Sequence, residues 1–74
     1  MDRMKIRLKV KEIAEQKGFN QSTLSRRADV DFKTVQRLFR DPSRDISIST
    51  LVKIARALKT DVNDLIEVIP EEDD

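Results

Sequence analysis

The sequence predicts a small all-α domain, and three observations carry that prediction. Apolar residues recur at helical spacing, most clearly Leu51, Ile54, Ala55 and Leu58 at i, i+3, i+4 and i+7. Residues that start and stop helices stand between the periodic runs. The chain has 74 residues and no Cys, which is room for one unit with a small core and no disulfide to staple it. Residues 1–74 therefore read as a single domain, with its core over residues 6–70 and an acidic tail at 71–74.

The elements follow in order. Met4-Lys5-Ile6-Arg7-Leu8-Lys9 alternates apolar and cationic residues, the period of a strand, up to Leu8. Val10, Ile13 and Ala14 then share a helical face, and Gly18 stops that helix. Phe19 is the apolar residue before Asn20, whose side-chain oxygen can accept an orphan N–H of the second helix. Leu24 and Ala28 mark the inner face of that helix. Asp31 can cap the third helix, which turns Val35, Leu38 and Phe39 inward. Asp41-Pro42-Ser43 breaks the chain, and Ser47 then caps the fourth helix, with Ile46 and Leu51 spaced as a staple across it. Lys59-Thr60 ends it, and Asp61 caps a short fifth helix with Leu65 and Ile66 facing inward. Leu65-Ile66-Glu67-Val68-Ile69 is rich in β-branched residues and suits a terminal strand. Its natural partner is the alternating N-terminal segment, so Lys5–Leu8 and Ile66–Ile69 are expected to form a two-stranded ribbon, within one chain or between two.

The formal net charge of +1 hides an asymmetry. Residues 1–60 carry all 15 Lys and Arg and seven acids; residues 61–74 carry seven acids and no cation. The body is thus suited to a polyanion, and the tail is not. There is no His or Cys, and the single Gly cannot form a phosphate-cradling loop. The residue types for common acid–base, thiol or zinc chemistry are missing, so no catalytic residue, metal site or cofactor is expected. No apolar run is long enough to span a bilayer and no secretory signal is evident, which leads us to expect a cytoplasmic protein without a membrane partner.

The second and third helices form a compact pair. One side is apolar. The other carries Phe32, Lys33, Thr34, Gln36 and Arg37, which suits entry into a DNA major groove. Asn20, Gln21 and Ser22 place polar groups and free N–H donors at a helix start, which suits a phosphate. Arg40, Ser43 and Arg44 flank the helix exit, where a DNA backbone would pass. Phe32 has two readings: an apolar contact to a thymine methyl, or packing against the second helix that steadies the turn. Arg26, Arg27, Lys53 and Arg56 read as ordinary surface cations.

The chain resembles the Cro-type, lambda-repressor-like helix-turn-helix domains over residues 6–70. The likeness is carried by Leu8-Lys9-Val10-Lys11-Glu12-Ile13-Ala14-Glu15-Gln16-Lys17-Gly18, by Asn20-Gln21 with Leu24, Ala28 and Val30, and by Thr34-Val35-Gln36-Arg37-Leu38. It continues in Ile48-Ser49-Thr50-Leu51-Val52-Lys53-Ile54-Ala55-Arg56-Ala57-Leu58 and Asp61-Val62-Asn63-Asp64-Leu65. The resemblance implies a five-helix bundle whose second helix crosses the phosphate backbone and whose third enters the major groove. It matches Gln21 to a phosphate contact and Phe32, Lys33, Thr34, Gln36 and Arg37 to base-reading positions. Two positions depart from the pattern: Asp29 stands where a turn Gly is usual, and Asp41-Pro42 replaces a Gly after the third helix.

The expected function is therefore sequence-specific binding of double-stranded DNA by a transcriptional repressor; a homodimer on two half-sites is one assembly that suits it, and the choice between monomer and dimer stays open. An alternative is the antitoxin half of a toxin–antitoxin pair, with the acidic tail contacting a basic toxin. A third reading is a bundle that kept the fold and lost DNA binding.

Overall fold

A computed structural model describes residues 4–42 and 46–70. The order is β1 (Met4–Leu8), α1 (Val10–Gln16), α2 (Gln21–Ala28), α3 (Phe32–Arg40), α4 (Ile48–Leu58), α5 (Val62–Leu65) and β2 (Ile66–Pro70). The five expected helices are present, and so is the ribbon. β1 and β2 pair antiparallel within one chain, with Met4 opposite Pro70, Ile6 opposite Val68 and Leu8 opposite Ile66. Each strand runs one residue past the expected pairing, to Met4 and to Pro70.

The core is the set of residues that the helical spacing selects. Leu24, Leu38, Leu51 and Ile54 are buried together, joined by Val10, Ala14, Val35, Leu58 and Leu65. Leu8 joins the same cluster, so the inner end of the ribbon is part of the core and is supported by it. Two backbone bonds fasten that end. Lys9 donates its N–H to the Leu65 carbonyl at 2.8 Å, and Leu8 donates to the Pro42 carbonyl at 2.8 Å. The second bond also fixes the loop after α3. Asp41 has φ −134° there, a backbone shape that any residue adopts, so the expected Gly is not needed.

The caps divide into two groups. The Asn20 side chain accepts the Thr23 N–H at 2.8 Å while the Thr23 hydroxyl accepts the Asn20 N–H at 2.8 Å, a reciprocal capping box. Ser47 likewise accepts the Thr50 N–H at 3.2 Å. Asp31 and Asp61 occupy the expected cap positions, but neither side chain makes a capping bond. Those starts are closed by backbone: Val35 donates to the Asp31 carbonyl at 3.1 Å, and Asp64 to the Asp61 carbonyl at 3.0 Å.

The turn between α2 and α3 holds despite its missing Gly. Asp29 sits at φ 58°, ψ 47°, a left-handed conformation that Asp tolerates better than most residues. Ser25 braces it: its hydroxyl donates to the Val30 carbonyl at 2.7 Å, and its carbonyl accepts the Val30 N–H at 3.1 Å. Lys59 closes α4 in the same left-handed region, φ 54°, without the local chemistry that favours it in Asp.

Candidate nucleic-acid interface

The third helix is two-faced. Val35 and Leu38 are buried in the core and Phe39 packs against it. Lys33, Gln36, Arg37 and Arg40 stand at i, i+3, i+4 and i+7, and all four are exposed. The stripe is about 10 Å long at 1.5 Å rise per residue, the span of about three base pairs. Among the described residues, ion pairs join Arg7 to Glu12 and to Glu67. Thr34 lies on the edge of the stripe and is half-buried, which limits its reach.

Phe32 lies on the other edge. It is 42% exposed and lines a shallow cleft of about 460 Å³ with Glu15, Phe19, Asn20, Gln21, Ser22 and Phe39. The two readings of Phe32 therefore meet in one place. Part of the ring faces the start of α2, and the rest is open beside Lys33 and Gln36.

The start of α2 opens onto the same cleft. The first N–H groups of a helix have no carbonyl before them to accept, and here Asn20 satisfies that of Thr23. Those of Gln21 and Ser22 are left for an outside acceptor. Gln21 is half-buried and Ser22 exposed at this edge. Arg40 closes the other end of the stripe, in the last turn of α3. Ser43 and Arg44, also expected to meet phosphate, lie outside the described residues. So does the acidic tail, 71–74, on which the antitoxin reading places its contact.

Other cations take positions that sequence reasoning did not assign. Arg27 lies over the Phe19 ring at 5.6 Å, a cation–π contact that ties α2 to the end of α1. Arg27, Lys53, Arg56 and Lys59 surround a concavity of about 450 Å³ floored by Ala28 and Ala57, at the C-terminal ends of α2 and α4. Helix C-termini carry partial negative charge, which these cations offset. The grouping joins residues about 30 apart in the chain, so no local motif marks it.

Behind the helices, Arg7 bridges the ribbon to α1. It donates to Glu67 across the strand pair at 3.3 Å and to Glu12 of α1. The Glu12 and Glu67 carboxylates hold the guanidinium charge above its ordinary range, Glu12 having the larger effect. For Glu12, partial burial opposes the charge. Its own backbone N–H and the Arg7 guanidinium outweigh that and hold the carboxyl below its ordinary value. Among the described residues there is no cluster of acids fit to hold a metal, and no helix is long and apolar enough to cross a membrane.

Comparison with known proteins bears on the fold and the family. No curated protein sequence matches the chain as a relative. Among solved structures, the crystal structure of the transcriptional regulator VanUg superposes with a TM-score of 0.74 at 22% identity, covering 96% of this chain and 93% of that one. At that identity the likeness establishes the fold. A family model for the Cro/C1-type HTH DNA-binding domain matches residues 9–71, from the residue before α1 to just beyond the ribbon, and the chain belongs to that family.

Proposed function

We propose that the protein binds double-stranded DNA sequence-specifically and regulates transcription, by repression. One observation carries the reading. Lys33, Gln36, Arg37 and Arg40 form an exposed stripe on α3, beside open N–H groups at the start of α2. With α3 in a major groove, Gln36, Lys33 and Arg37 hydrogen-bond base edges, Thr34 and the open edge of Phe32 flank them, and Phe32 reaches a thymine methyl. Asn20, Gln21 and Ser22 hold one phosphate strand, and Arg40, Ser43 and Arg44 the other. Phosphate contacts supply the salt-dependent affinity and base contacts the choice of site.

Repression fits a domain this small, because occupying a site is enough to block it. The binding mode we propose is a pair of subunits on two half-sites about one helical turn apart, in the cytoplasm. That VanUg is described as a transcriptional regulator supports the same reading.

Selection of bound sites from a random DNA pool tests it, and a single enriched motif is the expected result. On that motif, Gln36→Ala and Arg37→Ala each weaken binding by about 1–3 kcal/mol while leaving random DNA nearly unaffected. A pool that enriches nothing, or equal losses on the motif and on random DNA, would refute the assignment.

A further inference from the structure

The concavity between the C-terminal ends of α2 and α4 holds more positive charge than the fold requires. Arg27, Lys53, Arg56 and Lys59 surround its floor of Ala28 and Ala57, and all four cations are exposed. The two helix ends supply roughly half a negative charge each, and Asp29 on the rim supplies one more. The cations exceed these by about two charges. The backbone around the concavity is also unusual. Among the described residues, Asp29 at φ 58° and Lys59 at φ 54° are those other than Gly with a left-handed backbone, and both line this concavity. A Gly would close α4 without strain, but it would leave the rim one cation short. Strain sustained in this way points to a site. Arg27 is steadied from behind by the Phe19 ring. The concavity is separate from the proposed DNA face: Lys33, Gln36, Arg37 and Arg40 do not line it. Ala28 lies about 10 Å along α2 from Gln21, at 1.5 Å rise per residue.

We propose that this concavity docks an acidic peptide segment of a partner protein. An apolar side chain of the segment sits on Ala28 and Ala57, and its flanking carboxylates meet the cations of the rim. Charge complementarity calls for an anion, and two features select a peptide among anions. The floor is made of Ala methyl groups, which gain from being covered by an apolar side chain; a phosphodiester backbone has none to offer. Asp29 on the rim is an acceptor. A peptide backbone N–H can donate to it, whereas a phosphodiester backbone has no donor and meets it as a like charge. The volume of about 450 Å³ falls in the range of roughly 300–1,000 Å³ usual for small-ligand sites. Exposed ion pairs are individually weak, so binding depends on the floor and the cations acting together. The inference stands independently of the proposed DNA binding, because no residue of the α3 stripe takes part in it.

The probe is a capped peptide of Glu and Asp around a central Ala-Leu pair, titrated into the isotope-labelled full chain without DNA at about 0.15 M salt. The amide signals of Ala28, Asp29, Ala57 and Lys59 should shift and saturate, while those of Lys33, Gln36 and Arg37 stay near their free positions. Replacing Ala-Leu by Ser-Ser in the peptide should weaken binding about threefold or more, because the floor is then left uncovered. Lys53→Glu combined with Arg56→Glu should weaken it about tenfold or more, since like charges then face each other. Should that reversal disturb the fold, Lys53→Gln with Arg56→Gln removes the charge alone and should give a smaller loss in the same direction. Lys59→Gly should weaken the peptide about threefold, the size of one exposed pair, while raising the unfolding midpoint, a combination that a merely structural Lys59 would not produce. No saturable shift, shifts centred on α3, or equal binding of the Ser-Ser peptide would overturn the proposal. So would binding unaffected by loss of the Lys53 and Arg56 charges. Duplex DNA of random sequence that shifts the Ala28 and Ala57 signals as strongly as the peptide would make the concavity a nucleic-acid surface and overturn it too.

Discussion

Replacing Ile54 by Ala tests how the site is supported. Ile54 is fully buried on α4 in the cluster that also holds Leu24 of α2 and Leu38 of α3. The substitution removes three buried carbons, worth about 2.4 kcal/mol at roughly 0.8 kcal/mol each. The cavity left behind adds to this, giving about 2–5 kcal/mol in all. Total stability at roughly 0.05–0.15 kcal/mol per residue is about 4–11 kcal/mol for a chain of this length. The loss is therefore a large share of it, and at about 4–8 °C per kcal/mol the midpoint falls by about 8 °C or more.

Thermal and urea unfolding followed by circular dichroism read this directly. Val52→Ala is the control: Val52 is on the same helix but 37% exposed, and its loss should stay under about 1 kcal/mol. Since Ile54 has no place in the proposed DNA-facing stripe, the folded fraction of Ile54→Ala should bind DNA as the parent does, with affinity lost only as unfolding begins. A cost below about 1 kcal/mol would mean the buried face is wrongly assigned. Reduced affinity in fully folded protein would mean that α4 packing shapes the stripe itself.

Four further outcomes follow from other parts of the molecule. Arg40→Ala should weaken binding to all DNA sequences alike and lower the salt-dependence slope by about one unit. Gln21→Ala should also weaken all sequences alike but leave the slope unchanged; an unaltered slope for Arg40→Ala would remove Arg40 from the phosphate contacts. Lys59→Gly should stabilise by about 0.5–1 kcal/mol, because Gly relieves the left-handed strain at φ 54° while its added unfolded-state entropy takes back part of the gain; a lower midpoint would refute this. The depressed Glu12 carboxyl contributes stability at neutral pH that is lost as pH falls from its ordinary value of 4.5 through its lower folded value, so Glu12→Gln should flatten the acid side of the stability curve, and an unchanged acid limb would show that the Arg7 bridge is not part of it.

Much of this arrangement was legible because it is local. The spacing of Leu51, Ile54, Ala55 and Leu58 on α4 states a buried face with no reference to what covers it, and all four are buried. The same logic found the stripe on α3, since Lys33, Gln36 and Arg37 are what remains once Val35 and Leu38 turn inward. The ribbon was legible for a further reason: alternation in one segment and β-branching in the other, with opposite charge nearby. What escaped was decided by geometry between distant residues. Asp31 and Asp61 have the right identity for caps, yet neither carboxylate bonds an open N–H group, and for Asp61 the side chain decides this, since its backbone (φ −78°, ψ 149°) is that of the capping Ser47 (φ −70°, ψ 149°). Arg7 meets Glu12 and Glu67, five and 60 positions away, and only the ribbon's register brings the second within reach. Thr34 shows the same limit inside the candidate site. Its sequence position matches base-reading residues, but in the fold it is half-buried. Identity and spacing therefore assign the faces of these helices, while the orientation of each helix on the core decides which side chains on a face can reach a groove. On the proposed reading, the exposed Lys33, Gln36, Arg37 and Arg40 reach the groove together with the open edge of Phe32, and base discrimination should concentrate on Lys33, Gln36 and Arg37 rather than spread evenly over α3.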